Sequence, residues 1–209
     1  AIRGSYGLLV AGIGGTGVVA LWDSGRPGPT VLARADLTPD AAKVVSGCAD
    51  VPAAVIALTE AGLVNDAARL VAHALPKREA VWWACMCARA TEQAPPPVDA
   101  EALAAAEAWV RKPEEANRRQ AMAKAEAAGF RTPESWAAIG AFWSGGSMAP
   151  EGQPVVPPGD HLTGLAIAGA VALAAVRKHP ERAEATLRAF LASAFDIAGG
   201  GAGRIAPVG

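Results

Sequence analysis

The sequence predicts an all-α protein, a compact, helical-repeat-like array of about eight or nine short antiparallel helices behind a short β-like, glycine-rich N-terminal arm. Three observations predict it. Ala is abundant and aromatic content is only 5%. Ala loses no side-chain entropy in a helix, and β-branched and aromatic residues are too scattered here for a large sheet. A start signal of polar residue, proline and acid recurs at Thr38-Pro39-Asp40, Lys112-Pro113-Glu114, Thr132-Pro133-Glu134 and His179-Pro180-Glu181. Pro suits the first helical position, where its missing N–H would have no partner, and the acid suits the positive end of the helix dipole. Gly47, Gly62, Gly129 and Gly199 supply the matching stops.

In chain order, residues 1–35 are rich in Gly, Val and Leu and read as an arm or hairpin. Leu8–Val10, Val18–Trp22 and Thr30–Ala33 are its strand-like pieces. Residues 36–198 read as the helical domain, and 199–209 as a flexible glycine-rich tail. Within the domain, helices are expected over 39–46, 51–61, 64–75, 77–92, 99–111, 113–128, 133–143, 160–178 and 180–198. Thr38 and Thr132 are the expected N-caps. The 77–92 segment is apolar on every side after its first turn, which predicts a central helix. In the last helix Ala183, Leu187, Phe190, Leu191 and Ala194 form an apolar stripe, with Arg182, Glu184 and Arg188 outside. The segment 144–159 is a loop of about sixteen residues, a length associated with function or mobility.

The totals exclude several classes. A formal net charge of −1 gives no field for nucleic acid or an anionic membrane. Arg118, Arg119 and Lys124, interleaved with Glu114, Glu115 and Glu126, read as a solvated face and not a nucleic-acid stripe. The apolar runs Leu8–Trp22 and Leu162–Val176 fall short of the roughly 20 residues of a membrane span, and the second reads better as a buried central helix. No small-residue cleavage site follows the first run, which argues against a targeting role. Three cysteines without framework spacing fit a reducing, cytoplasmic compartment.

The chemistry-bearing candidates are few. Gly12, Gly14, Gly15 and Gly17 form a G-x-G-G-x-G segment after a strand-like run, which would cradle a pyrophosphate on backbone N–H groups. The helix that should follow is cut short by Asp23, Ser24, Gly25 and Pro27, so no βαβ unit fits. Locally, Leu8 to Val19 resembles the opening of indolepyruvate oxidoreductase-type subunits. Cys85 and Cys87 lie two apart on a helix and face apart, so they hold no shared metal. No metal or cofactor is expected. Asp160 and His161, beside the long loop, are the best acid–base pair, though no Ser–His–Asp set can be assembled.

Lys77, Arg78 and Glu79 precede Trp82 and Trp83. Lys77 and Arg78 sit where the dipole repels cations, so acidic groups, a carboxyl-terminal helix end or a partner must compensate them. Two adjacent tryptophans cannot face one core, so one should line another layer or a surface. Trp136 and Trp143 are seven apart and share a face, and Trp143 runs into Ser144, Gly145 and Gly146. Aromatics entering a glycine-rich loop make a binding rim or a helix end.

Several of these strings are specific. They are Ala72–Cys85 (AHALPKREAVWWAC), Ala138–Gly146 with Phe-Trp-Ser-Gly-Gly, and Pro157–Thr163 (PPGDHLT). From about Leu32 to Ile197 the chain resembles an uncharacterised bacterial all-helical family of unknown function. The resemblance implies an association with type VI secretion gene neighbourhoods and carries no catalytic residues. The expected role is a non-enzymatic accessory or adaptor protein that binds another protein in a bacterial assembly, with the N-terminal arm adding a strand to its partner. The alternative is a small-molecule or nucleotide-binding module using the N-terminal glycines.

Overall fold

The computed structural model describes residues 29–209. These form ten α-helices: α1 (Pro29–Ala35), α2 (Pro39–Val45), α3 (Val51–Glu60), α4 (Val64–Ala74), α5 (Lys77–Thr91), α6 (Pro97–Arg111), α7 (Glu115–Ala127), α8 (Pro133–Phe142), α9 (Leu162–Val176) and α10 (Ala183–Ala198). A single 3-10 turn, Pro180–Arg182, precedes α10. No strand occurs among the described residues.

Part of the expected punctuation is in place, though Pro113 lies just outside α7 and Pro180 opens the 3-10 turn. Thr38 caps α2 by accepting from the Ala41 amide, and Thr132 caps α8 in a reciprocal box with Ser135. Pro39 and Pro133 occupy the first helical positions. Gly62 and Gly129 take positive φ after α3 and α7, which a residue with a Cβ enters at a cost.

Two expectations are corrected. Thr30–Ala33 is helical, not extended: α1 runs through it and buries Val31 and Ala35 against α4. Pro29 presets the first-turn φ, and Val31 and Ala35 stand four apart on one face. Four residues are too few for periodicity to separate strand from helix. The helical zone therefore includes residues placed in the arm. The segment 199–209 is also not a free tail. Asp196 accepts from the Gly203 amide, Ser193 donates to the Gly203 carbonyl, and the Val208 amide donates to the Ala90 carbonyl. Ile205 and Val208 pack against the core, so the segment straps α10 to α5.

The core is Ala-rich, and small side chains bring helix axes close. At Gly140 on α8 a Cβ would meet the Ile167 side chain of α9 at 2.6 Å. Thr163 at the start of α9 donates to the Gly140 carbonyl, joining the same two helices. α5 packs against α6, α8, α9 and α10, as its all-round apolar character predicted. Trp83 is fully buried and donates to the Phe190 carbonyl, while Cys85 and Cys87 are buried beside it. Burial pushes both thiols well above their ordinary range.

Candidate functional site

The start of α5 gathers several of the sequence candidates. Lys77 donates to the Ser144 carbonyl at 3.1 Å and pairs with Asp160 at 3.7 Å, so one side chain joins both ends of the loop between α8 and α9. Arg78 donates through Nε to the Val110 carbonyl at 2.6 Å, at the C-terminal end of α6. The two cations placed badly for their own helix are thus compensated by an acid and by another helix's negative end. Trp82 and Trp83 divide as their spacing requires. Trp83 fills the core, and Trp82 is half-buried and donates to the Ala202 carbonyl of the strap. Trp82, Arg78 and Glu79, with Val110, Arg111 and Ile197, line a cleft of about 360 Å³.

The loop is held in one shape from beneath. Arg118, read from sequence as part of a solvated face, is only 4% exposed. Its guanidinium grips the Glu115 carboxylate in bidentate fashion at 2.6 and 2.8 Å. It also donates to the Phe142 carbonyl at 2.6 Å and the Ser147 carbonyl at 2.9 Å, and lies 4.5 Å over the Phe142 ring. Arg119 donates to the Ala149 carbonyl. Ser147 accepts from the amides of Ala149 and Val156, closing the loop on itself. Gly146 is needed here twice over: its φ is +67°, and a Cβ would meet the Arg118 guanidinium at 2.8 Å. Gly145 by contrast faces open space. Trp143 meets Trp136 edge-on, with centroids 6.4 Å apart.

A second, more polar cavity of about 230 Å³ lies where α5 and α9 begin. Arg34, His73, Lys77, Asp160, Thr163 and Gly164 line it. Asp160 pairs with Arg34 at 3.6 Å as well as with Lys77. Its carboxylate is therefore directed to cations, not set up as the orienting acid of a His-based triad. His161 is exposed, with its ring against Gly159. Arg34 was not singled out and His73 was given no place in a site, since they come from α1 and α4 and only the fold brings them to Lys77.

Burial lowers the His73 pKa to about 4, and the neighbouring His161 and Arg34 push it the same way. The folded pKa lies below the ordinary value of 6.5, so this contribution to stability is complete above about pH 6.5 and is lost as pH falls towards about 4. A shift of that size corresponds to about 3 kcal/mol at most, and solvent at the cavity mouth screens it to on the order of 2 kcal/mol, seen by urea unfolding across that range. His73→Gln should abolish that part of the slope.

Comparison with known proteins bears on most of this architecture. A model described as a family of unknown function, DUF6931, matches residues 54–198. The chain belongs to this family. The DUF6931 match runs from within α3 to the end of α10, so it takes in His73, Lys77, Arg118 and Asp160 and leaves out Arg34 and the strap. No curated protein and no solved structure matches the chain. Gly12, Gly14, Gly15 and Gly17, and the strand-like pieces before Pro29, lie outside the described residues.

Proposed function

We propose that the chain is a non-enzymatic accessory protein that binds another protein within a bacterial assembly, docking an apolar helix of its partner on the outer face of α9. The observation that carries this reading is α9 itself. Its fifteen residues, LTGLAIAGAVALAAV, include no charged side chain. One face is buried, as Ala166, Ile167, Ala170, Val171 and Ala174. The other face leaves Leu165 53%, Leu173 37% and Val176 45% exposed.

A surface helix ordinarily carries charge on its outer face. Leu165, Gly169, Leu173 and Val176 fall on one side at spacings of four, four and three. A Cβ at Gly169 would meet nothing within 4 Å, so the stripe has an opening between its two leucines. Such a surface suits the ridge of an incoming helix. Among the described residues no single helix is long and apolar enough to cross a membrane. The resemblance noted in the sequence makes a type VI secretion assembly the first place to look.

The test is affinity capture from the native host with the wild-type chain and with Leu165→Glu/Leu173→Glu. Both positions are exposed, so the variant should keep its circular dichroism and melting temperature. Companions recovered by the wild type should be lost by the variant. Recovery of a lone monomer by both, or of the same companions by both, would sink the reading.

A further inference from the structure

We propose that the polar cavity where α5 and α9 begin is a binding site for a compact tetrahedral oxyanion, either inorganic phosphate or the phosphoryl end of a larger molecule, held by Arg34, Lys77 and the first turn of α9. Arg34 and Lys77 reach it from different elements, and Asp160 is the single acid among its lining residues. Two cations against one carboxylate leave the cavity one positive charge in excess while His73 is neutral. Thr163 and Gly164, in the first turn of α9, form part of the wall. Leu75, Pro76 and Lys77 bring the start of α5 to the same space. Neither helix carries a side-chain cap. Both are fifteen residues long, so their first-turn N–H groups add partial positive charge to that of the side chains.

His73 completes the wall. Its ring lies so close to Gly164 that a Cβ there would overlap it. It makes no hydrogen bond to the described residues, and as a neutral imidazole it keeps one N–H to donate. The lining residues that can donate come from four elements, α1, α4, α5 and α9. That arrangement suits the oxygens of a tetrahedral anion better than the two of a planar carboxylate. The volume of about 230 Å³ takes a phosphoryl group but not a whole nucleotide, so any larger body would lie outside the mouth.

Asp160 is the carboxylate that an incoming oxyanion would displace. Its side chain is 75% exposed and makes only long contacts, 3.6 and 3.7 Å, with Arg34 and Lys77. An oxyanion offers both cations shorter, multiply hydrogen-bonded contacts, and Asp160 is free to swing into water.

The full chain should be titrated with inorganic phosphate, adenosine monophosphate and acetate by calorimetry at low salt, with the His73 ring resonances followed by NMR. Saturable binding of inorganic phosphate assigns the free ion. Binding of the monophosphate alone assigns a phosphoryl group on a larger molecule. Either supports the site if the His73 resonances shift with the same saturation. Arg34→Ala and Lys77→Ala should each weaken binding about tenfold. Asp160→Asn removes the competing carboxylate and should tighten binding several-fold, an effect no loss of fold would give. The proposal is overturned if neither phosphate compound binds at about millimolar concentration, if acetate binds equally well, or if Asp160→Asn leaves affinity unchanged or weaker.

Discussion

Arg177→Ala is expected to cost about 3–5 kcal/mol, the largest loss from any single charged side chain. Arg177 stands just past α9 and meets the Glu134 carboxylate in bidentate fashion at 2.9 and 2.7 Å. Glu134 lies in the first turn of α8 and is only 1% exposed. Removal of the arginine leaves a carboxylate in a dry core with no counter-charge. The start of α8 supplies part of the missing attraction through its dipole, but only a fraction of a charge. The reverse truncation should cost less, because Arg177 is 18% exposed and reaches water. Glu134→Met/Arg177→Met, which removes both charges and keeps volume, should recover most of the loss, since a buried pair is costly chiefly when broken. Urea unfolding of the three variants measures the asymmetry. Equal costs for the two single variants would contradict this account.

Arg118→Ala should act on the surface the sequence pointed to. It removes the donor that holds the Phe142 and Ser147 carbonyls and half of the Glu115 bidentate pair. The expected loss is on the order of 3 kcal/mol, from hydrogen bonds of a charged group to two backbone acceptors. The distinctive result is local. Amides of residues 143–161 should exchange faster, while those of α4 and α5 exchange as before. The Arg118 and Arg119 hydrogen bonds hold the Glu115 carboxyl down at about 2. Because the folded value lies below the ordinary one, this support is present above about pH 4.5 and is lost as pH falls towards about 2. In Arg118→Ala the Glu115 carboxyl should titrate closer to 4.5, which NMR reads directly. Unchanged exchange in the loop would show that Arg119 and Ser147 suffice to hold it.

The sequence made most element boundaries legible because they are set by neighbours a few residues apart. Thr38 with Pro39, Thr132 with Pro133, and Gly62 and Gly129 act through their own backbone and the next turn. The division of Trp82 from Trp83 was legible for a similar reason, since adjacent helical residues diverge by about 100°. What was not legible depends on distant partners. Arg118 sits among glutamates exactly as a solvated arginine would; only the return of the chain at Phe142 and Ser147 buries it. Arg34 and His73 reach Lys77 and Asp160 by the packing of α1 and α4 around α9. α1 was misread because its helical signal, Val31 and Ala35 on one face, appears only once α4 is there to cover it. The outward apolar face of α9 was hidden by composition: a segment with no charge at all reads as wholly buried.

The strap formed by 199–209 has a consequence for the order of assembly. Its contact with Trp82 joins residues 120 positions apart. The entropic cost of closing a loop grows with its length, and this closure yields few contacts in return. The helices can meet their neighbours in sequence first, and the strap settles once α5 and α10 already stand side by side. The Trp82 indole gains its hydrogen bond to the Ala202 carbonyl only at that last step of folding.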